Sequence, residues 1–329
     1  MDLIEFLAAK ARETTRTIVF PEGEDPVIQE ACLRLAGDRL ARPLLLGNTE
    51  AIKHSLAGKS GALGPLAVVD PSTSPQLAMY VERYCRERDM SRAVGERIIT
   101  QPLCFAAMMI KAGDAHGMVA GIAHPTEEVI MASELIIGLQ PGIGLASSFF
   151  LMEIPGFRGG EDGWIIFADP AVNPDPDQKQ LADIALSTAQ SARALLGWEP
   201  RVAMLSFSTR GSASHPMVDK VVEATALARR KAPDLLIEGE IQADAALVEA
   251  VARRKMGSES LVAGRANILI FPDLNAANIS AKLVQQLAGA NGYGPVLQGF
   301  ARPVSDLSRG ATAEDVVGAA LMVAVRAAV

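Results

Sequence analysis

Short β-branched or leucine-rich runs recur along the chain, each closed by Gly, Pro or Asp and followed by helical periodicity. This alternation constrains the fold more than any other feature. Thr17-Ile-Val-Phe20 stops at Pro21, and Asp25-Pro26 then supplies an N-cap and a first helical residue. Arg42-Pro-Leu-Leu-Leu-Gly47 and Leu66-Ala-Val-Val-Asp70 repeat the pattern. Helices are expected at Leu77 to Arg88 and Phe105 to Ala112, and a strand with a glycine-bearing loop at Gly117 to His124. From Pro141 the pattern restarts, with strands over Gly144 to Met152, Trp164 to Asp169, Arg201 to Leu205, Leu235 to Gly239 and Ile268 to Asp273, and a helix over Leu181 to Leu196. Runs this short and apolar are buried on both faces, so the fold class is α/β, with mostly parallel sheets and crossover helices.

At 329 residues the chain is long enough for two domains with substantial cores. Apolar residues make up 49% and charged residues 21%, a globular balance, and the net charge is −7 with the 31 basic residues scattered. Nucleic acid and anionic membrane are therefore not expected as partners. The stretch from Leu135 to Met152 is broken by Gln140-Pro141-Gly142 and makes a poor membrane span. Three cysteines, Cys32, Cys85 and Cys104, show no CxxC spacing, so no disulfide framework and no zinc site are expected. Met1 to Lys10 reads as a short amphipathic helix without the basic start of a signal peptide, which points to the cytoplasm.

Two stretches carry candidate chemistry. Gly294 to Gly310 is broken by three glycines and two prolines before a helix starts, and it sets Ser308, Arg309 and Gly310 beside that helix. Orphan amides, a planar guanidinium and a close backbone approach suit an anion. Asp315 follows closely enough to act as a base if the chain folds back at Gly310, yet Thr312-x-x-Asp315 is also a capping-box spacing. The second stretch, Ser206 to Ala213, joins a strand to a helix and contributes Ser208, Thr209, Arg210, Gly211 and Ser212. Its composition suits phosphate as well as a plain turn, and it lacks the Walker spacing.

Several segments in order resemble one family. They are Arg16-Thr-Ile-Val-Phe-Pro-Glu-Gly23, Phe167-Ala-Asp169, Val202-Ala-Met-Leu-Ser-Phe-Ser-Thr-Arg-Gly-Ser-Ala213, Glu238-Gly-Glu-Ile-Gln-Ala-Asp-Ala-Ala246, Phe271-Pro-Asp-Leu-Asn275 and Pro303-Val-Ser-Asp-Leu-Ser-Arg-Gly310. Together they resemble phosphotransacetylase (phosphate acetyltransferase), and Ile136-Ile-Gly-Leu-Gln-Pro-Gly142 is similar to its ethanolamine-utilisation branch. The resemblance implies a two-domain fold like isocitrate and isopropylmalate dehydrogenases, with 1–140 and 295–329 in one domain, 141–294 in the other and the active site in the cleft. It implies interconversion of acetyl-CoA plus phosphate with acetyl phosphate plus coenzyme A, no permanently bound cofactor, no active-site metal and a homodimer.

By the same resemblance Asp315 is the base, Ser308 and Arg309 stabilise charge, and Arg88, His124, Thr126 and Gly310 contribute to substrate binding. Met131 stands where the family carries an arginine. Its loss shifts phosphate binding onto Arg88, His124 or Arg210, or else marks a pocket for another acyl group. A non-catalytic acetyl-CoA sensor is the alternative from a different class, and no dinucleotide fingerprint supports a dehydrogenase. Full proton transfer from a thiol near 8.5 to an ordinary aspartate near 3.9 is uphill by about 6 kcal/mol. The base is therefore expected to be buried, so that its proton affinity rises.

Overall fold

The computed structural model of the chain describes residues 3–57, 66–257 and 260–328. It divides into two compact units, one taking in 1–140 and 300–329 and the other 141–299.

The first unit begins with α1 (Leu3–Thr14), β1 (Thr17–Phe20), α2 (Pro26–Gly37), β2 (Arg42–Leu46), α3 (Thr49–Leu56) and β3 (Ala67–Val69). It continues through α4 (Leu77–Arg88), α5 (Arg92–Ile99), α6 (Pro102–Ala112), β4 (Gly117–Ala120) and α7 (Thr126–Ile136). The second unit contains β5 (Ser147–Glu153), β6 (Trp164–Ala168), α8 (Gln178–Leu196), β7 (Arg201–Leu205), α9 (Pro216–Lys231) and β8 (Leu236–Ile241). It closes with α10 (Ala243–Leu247), α11 (Glu249–Met256), β9 (Ile268–Ile270), α12 (Leu274–Ala288) and β10 (Asn291–Gln298). The chain then returns to the first unit as β11 (Val304–Asp306) and α13 (Ala313–Arg326).

In the first unit five parallel strands run in the order β11-β4-β1-β2-β3. The return is held by pairing, with Val304, Ser305 and Asp306 in register with Met118, Val119 and Ala120. It is also held by burial, because α13 packs against α1, α2 and β4 and buries Val316, Leu321 and Val323 completely. At about 1.5–3 kcal/mol per fully buried aliphatic side chain, these three outweigh the entropy of closing so long a loop.

The second sheet runs β10-β5-β6-β9-β7-β8. Here β6, β9, β7 and β8 are parallel, whereas β5 is antiparallel to both β6 and β10. Residues 295–299, expected in the first domain, lie in the second unit, because Val296, Leu297 and Gln298 pair with Phe149, Ser148 and Ser147. The stretch from Gly294 that seemed broken thus contains strand, with a register shift between Tyr293 and Val296 where Pro295 has no N–H to give the ladder. Helix α5 had no counterpart in the sequence reading. The expected N-terminal helix is α1, and Met1 and Asp2 lie outside the described residues. Among the described residues no single helix is long and apolar enough to cross a membrane.

Candidate active site

In a doubly wound sheet the functional groups sit beyond the carboxyl ends of the strands. In the first unit the neighbouring strands β1, β4 and β11 end in Glu22, in the loop from Gly121 to His124, and in Asp306 to Gly310 respectively.

Glu22 is buried, and its carboxylate fills a nest made by the loop after β4. Oε2 accepts the Gly121 and Ile122 amides at 3.0 and 3.2 Å, while Oε1 accepts those of Ala123 and His124 at 2.8 and 3.1 Å. His124 Nδ1 lies 2.7 Å from Oε1. Burial alone would raise the Glu22 carboxyl. The His124 hydrogen bond and the Ala123 and Ile122 amides outweigh it and hold the group below its ordinary value. Conversely, the Glu22 hydrogen bond raises His124 against its partial burial. The two groups thus favour each other's charged forms, the carboxylate of Glu22 and the protonated ring of His124.

Asp306, at the end of β11, is 7% exposed. Thr126 Oγ1, in the first turn of α7, donates to its Oδ2 at 2.5 Å, and Oδ1 is buried with no hydrogen-bond partner. The Leu307 amide also acts on this carboxylate and pulls it down. Burial pushes Asp306 up to about 6; the Thr126 bond pulls down, and the nearby Glu22 charge pushes up. Gly121 separates the two acids. A Cβ there would lie 2.3 Å from Asp306 Oδ1, and φ is +116°. Only glycine fits that position.

Beyond Asp306 the chain emerges, so that Ser308, Arg309 and Gly310 are exposed. Ser308 Oγ accepts the Gly310 amide at 3.4 Å, and among the described residues no carboxylate pairs with Arg309. Asp315 departs from expectation. It is exposed, and its Oδ2 accepts both the Thr312 amide and the Thr312 hydroxyl at 2.8 Å, closing a capping box on α13. The burial expected of a base is absent because the segment from Ser308 to Thr312 that leads into α13 is largely exposed. Asp315→Ala is expected to lower the melting temperature by about 1–4 °C, the worth of part of a helix cap, and Asp315→Asn by less, as read by calorimetry.

Arg88 is engaged elsewhere: its guanidinium donates to the Leu135 carbonyl in the last turn of α7. At 1.5 Å per residue this is about 14 Å along the helix from Thr126. Met131, 62% exposed, lies on the same helix.

In the second unit the expected phosphate loop is filled from within. Glu240 Oε1 accepts the Gly211 amide at 2.6 Å and the Ser208 hydroxyl at 3.0 Å. Ser212 Oγ accepts the Thr209 amide, and Thr209 Oγ1 accepts the amide of Gln242. Arg210 bonds the Met256 carbonyl at 2.7 Å and pairs with Glu238 at 3.1 Å. The donors that composition assigned to phosphate are committed to Glu238 and Glu240, residues distant in sequence.

Known proteins bear on this geometry. A family model described as phosphate acetyl/butaryl transferase matches residues 2–324. The chain belongs to this family. A phosphate acetyltransferase of Thermoanaerobacterium thermosaccharolyticum is 43% identical over 99% of this chain and 100% of its own length. That of Bacillus subtilis is 39% identical over 99% of both chains. Among solved structures, the EutD phosphotransacetylase of Staphylococcus aureus superposes with a TM-score of 0.91 at 36% identity, over 99% of this chain and 98% of that one. A phosphotransacetylase of Streptococcus pyogenes gives 0.93 at 37%, with the same coverage.

Sequence reasoning about this phosphate acetyl/butaryl transferase family member missed Glu22 and Asp306, although both lie in segments that carried the resemblance. The available signal was positional: each is an acid at the carboxyl end of a buried strand. Among the described residues no group of three or more His, Cys, Asp or Glu is arranged to hold a metal ion. Burial raises Cys32 and pushes Cys104 up to about 11, which makes these two thiols poor nucleophiles.

Proposed function

We propose that the chain is a phosphate acetyltransferase, interconverting acetyl-CoA and phosphate with acetyl phosphate and coenzyme A. The observation that carries this reading is the exposed Arg309, without a carboxylate partner among the described residues, beside Ser308 at the carboxyl end of β11 in a chain of this family. A guanidinium left unneutralised is a binding group for a dianion, and it gains strength as charge builds on the departing phosphate. Ser308 and the Gly310 backbone add donors, and the His124 ring, braced by Glu22, adds another whenever it is protonated. Coenzyme A serves as substrate, with no resident cofactor.

In the synthetic direction the coenzyme A thiolate attacks the acetyl carbon, and the C–O bond to phosphate breaks as the C–S bond forms. Phosphate leaves with that electron pair, held by Arg309. A phosphate-dependent thiol-release assay over a series of acyl-CoA esters tests the assignment. Acetyl-CoA is expected to give the highest kcat/KM, and coenzyme A binding without turnover of any ester would sink it in favour of a sensor.

The exposed Met131 motivates a longer acyl group as the second reading. Met131→Arg is then expected to raise kcat/KM for acetyl-CoA by about tenfold, the worth of one charge-assisted contact, relative to butyryl-CoA. We also propose a cytoplasmic homodimer. Ile279, Leu283 and Leu287 form an exposed stripe on α12, which supports association with a second copy. Light scattering at twice the chain mass is the expected result.

A further inference from the structure

The strands that carry the candidate site at their carboxyl ends carry a second set of polar groups at their amino ends. Arg16 immediately precedes β1, Arg42 opens β2, His116 immediately precedes β4, and Arg302 stands two residues before β11. Because the sheet runs β11-β4-β1-β2, these residues fall side by side along one edge in the order Arg302, His116, Arg16, Arg42. Backbone register holds them there. Thr17 lies opposite Arg42, and the Arg42 amide donates to the Arg16 carbonyl at 2.8 Å. The His116 amide donates to the Thr17 carbonyl at 2.9 Å, the Thr17 amide donates to His116 Nδ1 at 3.2 Å, and the Met118 amide donates to the Pro303 carbonyl at 3.2 Å. At about 4.8 Å per strand the row extends over about 14 Å of sheet edge.

The cations of this row have no counterion from the protein. Among the described residues Arg16, Arg42 and Arg302 make no ion pair, and Arg16 Nε is buried without a hydrogen-bond partner. Asp114, two residues before His116, accepts the Tyr80 hydroxyl at 2.5 Å, while the exposed Glu13 and Asp38 pair with none of the three arginines. The charges converge on His116: burial first, then Arg16, Arg42 and Arg302, hold its ring below the ordinary value. With Nδ1 accepting from Thr17, the neutral ring presents Nε2–H as a donor. Helix dipoles do not account for the row. Helices α1, α2 and α6 lead into β1, β2 and β4, but Arg12, Arg34 and Lys111 already occupy their last turns. Like charges gathered without a counterion repel one another, and an anion placed among them reverses the sign of that interaction.

We propose that this amino-terminal sheet edge binds a linear polyphosphate anion, either inorganic triphosphate or the triphosphate of a nucleotide, at a site separate from Ser308 and Arg309. Arginine forks take phosphate oxygens in pairs, and the His116 Nε2–H adds a donor between them. A chain of phosphate groups matches cations set out in a row, whereas a compact anion reaches only some of them. The site stands on the strand ends alone and does not depend on the acyl-transfer reading.

The test is isothermal titration of the full chain with sodium triphosphate at low ionic strength, for the wild type and variants, with melting temperatures alongside. One saturable site is expected, weakening as salt is added. Arg42→Ala and Arg302→Ala are each expected to weaken it about tenfold and the double variant about a hundredfold, the worth of one and two charge-assisted contacts. Melting temperatures without ligand stay within about 2 °C of wild type, because both side chains are exposed and unpaired. Triphosphate is expected to raise the melting temperature of the wild type and not of the double variant. Arg309→Ala is expected to keep the affinity within about twofold, which separates this edge from the opposite one. Affinity retained in the double variant, or abolished by Arg309→Ala, overturns the site, as does the absence of both heat and thermal shift with triphosphate and with ATP. Orthophosphate or citrate binding as tightly as triphosphate overturns the linear anion. Equal affinity for triphosphate and ATP assigns the shared triphosphate group, tighter ATP assigns a nucleotide, and tighter triphosphate assigns the inorganic chain.

Discussion

Arg309→Ala is expected to reduce kcat/KM for acetyl phosphate by about 10²- to 10³-fold while leaving the melting temperature within about 2 °C of wild type. The two halves of this result have separate origins. An exposed guanidinium with no carboxylate partner among the described residues contributes little to folding, because solvent already satisfies it. The same guanidinium strengthens its hold on phosphate as negative charge gathers there. Removal of one such donor from a reacting centre costs about 2.7–4 kcal/mol of barrier. Arg309→Lys is expected to recover only part of the loss, since an ammonium cannot make the bidentate fork. Steady-state kinetics with phosphate and acetyl phosphate, read beside thermal denaturation, separates binding from folding. A melting temperature that falls with activity would place Arg309 in the scaffold.

Glu22→Ala is expected to be the most destabilising single substitution at the strand ends. It would strip four amides and an imidazole of their common acceptor, all at a carboxylate only 8% exposed. Loss of one partner from a buried charge pair costs about 3–5 kcal/mol, which at 2–4 °C per kcal/mol lowers the melting temperature by about 6–20 °C. The pH dependence has a defined sign. Glu22 is held below its ordinary 4.5, so its stabilisation is present above that value and fades as pH falls through the folded one. His124 is raised above 6.5, so its stabilisation is complete below 6.5 and is lost as pH rises through its folded value. The gap in melting temperature between wild type and Glu22→Ala is therefore widest between about pH 5 and 6.5, and it narrows toward pH 9. Melting curves across that range check it.

Local signals made much of the protein legible. Alternation of short apolar runs with helical periodicity, together with caps such as Asp25 at α2, located most of the strands and many of the helices. The Thr312-x-x-Asp315 spacing anticipated the capping box. Antiparallel β5 was not legible, since a fully buried strand has the same apolar pattern in either direction. Nor was the saturation of the Ser206 to Ala213 loop, whose glycine and hydroxyls look alike whether they wait for phosphate or hold Glu240.

By itself the sequence determined the fold class, the family and the groups able to carry charge, because each depends on residue type and near spacing. Only the tertiary structure decided which acids are buried and which are exposed. Glu22, Gly121, Thr126 and Asp306 meet because β11 returns after the whole second unit to lie beside β4. Proton affinity follows from that meeting, since desolvation and neighbouring charge belong to the assembled environment and not to the residue.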